Sequence, residues 1–149
     1  MTSQTSAVST TDIQPQIGGR VATYLWQWHN QPISVAYETL GEGSPVLLLP
    51  ALSTVSSRSE VADLARGLAS RHQVISMDWP GFGDSSRLPL DYRPDLFYQG
   101  LSDFVQSQFS ESIMVVAAGH AAGYALRLGA QKPGVWSRMV LASPTWRGP

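Results

Sequence analysis

Four short apolar runs alternate with amphipathic segments over most of this 149-residue chain. Nearly continuous runs of aliphatic residues are typical of strands that are buried on both faces of a sheet. We predict such strands at residues 46–49, 74–77, 113–116 and 139–142. Between them, apolar residues recur at helical spacing, which predicts helices at residues 57–68, 94–109 and 122–132. Strands and helices that alternate in this order indicate an α/β fold with a mostly parallel, twisted sheet and flanking helices.

Local signals refine this picture in the first half of the chain. Residues 20–28 and 33–39 alternate moderately, and Asn30-Gln31-Pro32 between them predicts the turn of an antiparallel hairpin. Ser57 and Glu60 have the spacing of a capping box, in which the two side chains accept the first N–H groups of a helix. We therefore predict that the first helix begins at Ser57.

The junction between the third strand and the third helix has an unusual composition. Residues 119–123 are Gly-His-Ala-Ala-Gly, and they have the spacing of G-x-S-x-G, the sharp turn that lifts a reactive side chain above a sheet. We expect Gly119 and Gly123 to be required for steric reasons, since a strained turn that is packed against its neighbours has no room for a Cβ atom. Ala121 occupies the central position, and a methyl group cannot attack a carbonyl.

Three blocks of sequence, taken in order, resemble the α/β-hydrolase fold family. Residues 74–85, Val-Ile-Ser-Met-Asp-Trp-Pro-Gly-Phe-Gly-Asp-Ser, are similar to the family's strand followed by D-x-P-G-x-G-x-S. The turn at 119–123 is the second block, and residues 131–141 resemble the family's helix end, Pro-containing turn and next strand. The resemblance covers residues 33–145. It implies an α/β-hydrolase-like domain that lacks the C-terminal strands and the cap region.

The chain is accordingly predicted to have two parts. Residues 1–19, which begin with a stretch rich in Ser, Thr and Gln, are expected to form a disordered tail. Residues 20–149 are expected to form a partial α/β-hydrolase-like domain. A sheet without its last strands leaves an apolar face and a bare edge at 139–142. We therefore expect a fragment of a longer product, or a chain that associates with itself or with a second chain through this face.

The resemblance also has consequences for catalysis. In the family, the catalytic His, and usually the acid, lie in the part that is missing here. The resemblance assigns the two oxyanion-hole donors to the N–H of Ala122 and to the N–H of Leu52, in the loop after the first buried strand. The family often has His-Gly in that loop, whereas this chain has Pro50-Ala51.

Other candidate residues have structural explanations. We expect His120 to point into packing, and Asp78, before a Pro-Gly turn, to cap backbone N–H groups. The hydroxyls near the same edge are expected to be solvated or to cap loops; they belong to Ser53, Ser56, Ser57 and Ser85. The Trp residues are expected to pack in the interior. The His residues do not have metal-ligand spacing, so no metal and no cofactor is predicted.

Composition excludes several classes of function. The net charge is −1 and the basic residues are scattered, so the chain has no electrostatic footprint for nucleic acid. Cysteine is absent, which excludes disulfides and thiolate chemistry. The apolar runs are too short to span a membrane. Residues 1–16 contain no Lys or Arg, unlike a secretory or transit signal, and a cytoplasmic location is expected.

Two functional hypotheses from different classes remain open. The first is a non-catalytic member of the hydrolase-fold family that binds a small apolar ligand above Ala121 or provides an interaction surface. The second is an enzyme that acts on an ester or a related small apolar substrate by a serine-independent mechanism, with His120 or Asp78 as the base. The first is preferred because no second titratable partner is visible that would tune either base.

Overall fold

The computed structural model describes residues 13–142, which form a six-stranded sheet with helices on both faces. The strands are β1 (Arg20–Trp28), β2 (Gln31–Leu40), β3 (Ser44–Leu49), β4 (His72–Met77), β5 (Ile113–Ala118) and β6 (Trp136–Ala142). The helices are a 3₁₀ turn (Arg58–Val61) that leads into α1 (Ala62–Leu68), then α2 (Pro94–Gln108) and α3 (His120–Gln131). The predicted α/β class is therefore confirmed.

The sheet has the strand order β1-β2-β4-β3-β5-β6. Strands β3, β4, β5 and β6 pair in parallel, while β1 and β2 form the predicted antiparallel hairpin and β2 pairs antiparallel with β4. The hairpin turn consists of His29 and Asn30, with φ of +45° and +64°, rather than the predicted residues 30–32. Two consecutive positive φ angles match the twist of a two-residue hairpin, and Asn tolerates this conformation well.

The central strand β3 is buried on both faces, as its continuous apolar run predicts. Leu47 and Leu49 pack in the larger hydrophobic cluster, with α2 and α3, whereas Val46 and Leu48 pack in a second cluster with α1. All four side chains are at most 1% exposed. Because both of its faces are covered, β3 is held in the centre of the core, and its carboxyl end positions the loop that follows it.

The N-terminal segment departs from the prediction of a disordered tail. Ile17 is fully buried, and the Glu38 carboxylate accepts the N–H groups of Gln16, Ile17 and Gly19 at 2.8, 3.0 and 2.7 Å. The prediction of disorder is wrong for residues 13–19, because an apolar side chain and a buried carboxylate hold this segment on the sheet. Residues 1–12 of the predicted tail lie outside the described residues.

The predicted capping box at Ser57 is also wrong. Ser57 is the N-cap residue of the 3₁₀ turn, but its hydroxyl pairs with Ser59 Oγ at 2.7 Å instead of accepting a helix N–H. The Glu60 carboxylate accepts the N–H of Ala51 in the loop after β3. Glu60 therefore braces that loop, and the tertiary contact replaces the local one.

Strand β6 is the terminal strand of the sheet within residues 13–142. Met139 and Val140 on this strand are 39% and 46% exposed, although apolar residues of a central parallel strand are normally buried. This exposure matches the predicted bare edge. Among the described helices, none has the length and apolar character needed to cross a membrane.

Candidate functional site at the strand-to-helix turn

The loops that follow β3, β4 and β5 emerge at the same edge of the sheet. These three strands are parallel neighbours, so their carboxyl ends lie side by side. In open α/β sheets, ligands bind outside the carboxyl ends of the strands. Leu52, Asp78 and the four candidate serines lie on the loops after β3 and β4, and His120, Ala121 and Ala122 lie at the start of α3, which makes this edge the candidate site.

The turn between β5 and α3 is sharp and depends on Gly119. This residue separates the last strand residue, Ala118, from the first helix residue, His120, and has φ of +56° and ψ of −133°. L-residues rarely adopt this conformation. A Cβ atom on Gly119 would also lie 3.2 Å from the carbonyl oxygen and 3.3 Å from the Cβ of Ala51. The positive φ and these tight contacts both favour glycine at this position.

Gly123 does not share this requirement. It lies inside α3, and among the described residues nothing lies within 4 Å of a Cβ atom built there. The prediction that both glycines lack room for a side chain is therefore wrong for Gly123. The reason is that the helix has already begun at His120, so Gly123 lies a full turn beyond the strained backbone.

Ala121 and Ala122 occupy the first turn of α3 and have no exposed surface. The N–H of Ala122 donates to the carbonyl of Gly119 at 3.2 Å, and that of Ala121 donates to the carbonyl of Ala51 at 3.3 Å. The predicted role of the Ala122 N–H as an oxyanion donor is wrong for this conformation, because the group is buried and already bonded within the helix.

Leu52 is strained, and its loop is braced by hydroxyls. It has a φ of +63°, which costs an L-residue on the order of 1 kcal/mol or more. In the same loop, Ser56 Oγ accepts the N–H of Ser53 at 2.7 Å, and the N–H of Ser56 donates to the carbonyl of Ser53 at 3.0 Å. The capping role expected of these serines is confirmed at Ser56, while the oxyanion role of Leu52 stays a prediction.

His120 is exposed, contrary to the expectation that it points into packing. It is the first residue of α3, whose buried stripe consists of Ala121, Ala122, Ala125 and Leu128. His120 is not part of this stripe. Among residues 117–123, His120 is the residue that is both exposed and titratable.

Asp78 caps backbone N–H groups, as predicted, but also forms a buried ion pair. Its carboxylate accepts the N–H of Arg58 at 2.8 Å and the N–H of Asp84 at 2.9 Å, and Arg58 Nη1 donates to it at 2.6 Å. The Asp78 and Arg58 side chains have no exposed surface. Burial raises the pKa of Asp78 above its usual range, and the Arg58 guanidinium offsets only part of this effect.

Arg58 is the centre of a network that the sequence did not reveal. Its Nε donates to the buried Glu38 at 3.1 Å, and its Nη2 donates to Asp84 at 3.2 Å and to the carbonyl of Gln14 at 3.1 Å. Burial acts to raise the pKa of Glu38, but three backbone N–H donors and Arg58 outweigh it and hold that pKa below its usual range. One cation thus connects the N-terminal segment with the loops after β3 and β4.

An aromatic cluster lies beside the turn, and its most buried member confirms the packing expected of Trp. Trp79 is fully buried, and its Nε1 donates to the carbonyl of Pro50 at 2.9 Å. Its ring centroid lies 6.2 Å from that of Phe97 and 5.7 Å from that of Tyr124. Phe82 extends the cluster at 6.1 Å from Phe97. Because Phe82 and Tyr124 are partly exposed, the cluster offers apolar surface at the candidate site.

A cavity of about 430 Å³ lies between the loops after β3 and β4. It is lined by residues 54–57 and 81–83 and by Arg87. Its walls combine Phe82 and Val55 with hydroxyls and a guanidinium, and its volume lies within the range of small-molecule sites. Within residues 13–142, no group of three or more His, Asp or Glu side chains is close enough together to hold a metal ion.

Comparisons with solved structures show the same fold. An alpha/beta hydrolase fold protein from Burkholderia ambifaria matches with 23% identity and a TM-score of 0.73, over 85% of this chain and 45% of that chain. An alpha/beta hydrolase from Sphaerobacter thermophilus matches with 28% identity and a TM-score of 0.65, over 79% and 44%. A bromoperoxidase from Bacillus anthracis matches with 24% identity and a TM-score of 0.70, over 83% and 45%.

The chain spans less than half the length of these three structures. A search of curated proteins found no match. The sequence model of the alpha/beta hydrolase family matches residues 46–149, which include most of β3, the loops of the candidate site and the turn at Gly119. The chain belongs to the alpha/beta hydrolase family.

Proposed function

We propose that this chain is a family member that does not hydrolyse esters through a serine and instead binds a small apolar ligand at the carboxyl edge of its sheet. One observation carries the proposal. Residues 117–123, which form the strand-to-helix turn, are Ala-Ala-Gly-His-Ala-Ala-Gly and contain no hydroxyl, thiol or carboxylate. Serine-type acyl transfer requires a hydroxyl or thiol nucleophile at the turn.

The surroundings of the turn support binding. The partly exposed rings of Phe82 and Tyr124 provide apolar contact area, and the 430 Å³ cavity beside Phe82 has the size of a small-molecule site. The loops that line this cavity are held by the buried Arg58 network, so the site needs little ordering when a ligand enters.

The alternative is a serine-independent reaction with a different base. Asp78 is a poor candidate, because it has no exposed surface and accepts three hydrogen bonds from Arg58 and Asp84. His120 is exposed at the start of α3, and this exposure is the observation that favours the alternative. A general base must reach the proton that it removes, and the exposed His120 is more accessible to a substrate than the buried Asp78.

Hydrolysis of 4-nitrophenyl butyrate distinguishes the two functions. We expect the unmodified protein and His120→Ala to give the same rate, equal to the background. A rate well above background that His120→Ala abolishes would refute the non-catalytic proposal and favour the alternative.

Binding is tested with hexyl phenyl ether, an apolar probe that has no bond to hydrolyse, by titration calorimetry. We expect saturable binding that Phe82→Ala weakens by roughly tenfold, since a buried aromatic contact is worth about 1–2 kcal/mol. Phe109→Ala is the matched control, because Phe109 is also partly exposed but lies before β5, at the opposite edge of the sheet. Equal effects of the two substitutions would contradict the proposed location of the site.

Assembly and location complete the proposal. The exposed apolar residues of β6 are proposed to be covered by a further segment of the fold or by a second copy of the chain. A cytoplasmic location is part of the same proposal.

A further inference from the structure

We infer that the nucleophile position of this turn is Gly119, two residues before the position that the G-x-S-x-G spacing selects. The inference concerns the geometry of the site on which the proposed function rests. It holds whether or not a ligand binds there.

The backbone conformation of the turn is the first observation that supports Gly119. In a nucleophile elbow, the reactive residue is the strained one between strand and helix, and its side chain is exposed above the sheet. Gly119 is the residue between β5 and α3, and its φ of +56° and ψ of −133° are strained for any residue with a side chain. Ala121 lies beyond the strain, inside the first turn of α3.

The surroundings of a side chain at position 119 or 121 are the second observation. A Cβ atom on Gly119 would face Ala51, 3.2 Å from its carbonyl oxygen, in the loop that also contains the strained Leu52. The methyl group of Ala121 instead packs in the main hydrophobic cluster and has no exposed surface. A hydroxyl at 121 would be buried in that cluster, out of reach of a substrate.

The small residues on either side of Gly119 are the third observation. An elbow needs small residues two positions before and after the nucleophile, where G-x-S-x-G has glycine. Counted from Gly119, these positions are Ala117 and Ala121, which are 1% and 0% exposed. Both are small because they are packed. In this register, the residue after the nucleophile position is His120 rather than Ala122, and His120 begins the helix, where backbone N–H groups lack intrahelical acceptors.

Thiol reactivity tests the inference without any ester or ligand, so its failure is distinguishable from failure of the proposed function. The chain contains no cysteine, so each single-Cys variant reports one position. The variants are Gly119→Cys and Ala121→Cys, with two controls on α3: Ala125→Cys, which is fully buried, and Ala130→Cys, which is exposed. The measurement is the rate of modification by 5,5′-dithiobis(2-nitrobenzoate), with folding checked by circular dichroism.

We expect the Gly119→Cys thiol to react at a rate within about tenfold of that of Ala130→Cys. The Ala121→Cys and Ala125→Cys thiols should react on the order of 100-fold more slowly than that of Ala130→Cys, because a buried thiol reacts only when the structure opens locally. An Ala121→Cys thiol that reacts as fast as that of Ala130→Cys in a folded protein overturns the inference. A Gly119→Cys thiol as slow as that of Ala125→Cys does so too. If strain prevents Gly119→Cys from folding, the comparison of Ala121→Cys with the two controls still decides.

Discussion

Replacing Arg58 with Met tests whether its buried network stabilises the fold. The substitution keeps an unbranched side chain of similar length but removes the only cation that contacts Glu38 and Asp78 among the described residues. Both carboxylates have no exposed surface, so neither gains water when Arg58 is lost. They remain buried without a partner charge, or they take up protons.

The expected loss is large for a single substitution. Removing one partner of a buried ion pair costs about 3–5 kcal/mol, because the desolvation penalty of the remaining charge is no longer offset. Here one guanidinium serves Glu38 at 3.1 Å and Asp78 at 2.6 Å, and it also donates to the carbonyl of Gln14. We therefore expect Arg58→Met to lower the free energy of unfolding by about 4 kcal/mol, a large share of the roughly 5–15 kcal/mol of a typical domain.

Urea denaturation followed by Trp fluorescence measures this loss. Arg66→Met is the matched control: Arg66 forms an ion pair with Asp63 at 3.2 Å, but its side chain is 59% exposed. An exposed pair of this kind is worth less than about 1 kcal/mol. If the two variants lose the same free energy within about 1 kcal/mol, the assignment of Arg58 as the organising charge is refuted.

Three further predictions follow from the described contacts. Folding lowers the pKa of Glu38, so the contribution of Glu38 to stability is present above pH 4.5 and is lost as the pH falls. Folding raises the pKa of Asp78, so the contribution of Asp78 is present below pH 3.8 and is lost as the pH rises through its folded pKa. Relative to the unmodified protein, Glu38→Gln should therefore lose stability and Asp78→Asn should gain it as the pH rises from 3 to 7 in urea titrations, and parallel profiles would refute the assignment. Gly123→Ala should raise the free energy of unfolding by up to about 1 kcal/mol, and Gly119→Ala should lower it by about 1–3 kcal/mol. A higher urea midpoint for Gly119→Ala than for Gly123→Ala would contradict this prediction. Val140→Lys, on the exposed strand β6, should shift the protein toward monomer in size-exclusion chromatography with light scattering, whereas an unchanged mass would argue against self-association through that edge.

The strands and helices could be predicted because their apolar residues follow simple periods. The four residues 46–49 are buried on both faces of the sheet, and a continuous apolar run is the expected sequence for that environment. The helix at residues 94–109 was predicted to within one residue, since Pro94 starts it and its apolar stripe is regular. These features depend on residues that are close in sequence.

The network around Arg58 could not be predicted, because its members are distant in sequence. Glu38 and Asp78 are each 20 residues from Arg58, and no local spacing relates the three. Glu38 also explains the error at residues 13–19: the Ser-, Thr- and Gln-rich stretch before them suggested a disordered tail, but the Glu38 carboxylate binds N–H groups of this segment. At Ser57 and Glu60, a local motif was present but a tertiary contact to Ala51 took its place.

The residues that shape the candidate site are different from those that would react in it. Arg58, Asp78 and Asp84 hold the loops after β3 and β4 together, and Gly119 sets the turn after β5. None of these interactions involves a nucleophile, so the backbone of the site does not depend on a reactive side chain. For this reason, the shape of the site agrees with the proposed binding function but does not by itself distinguish binding from hydrolysis.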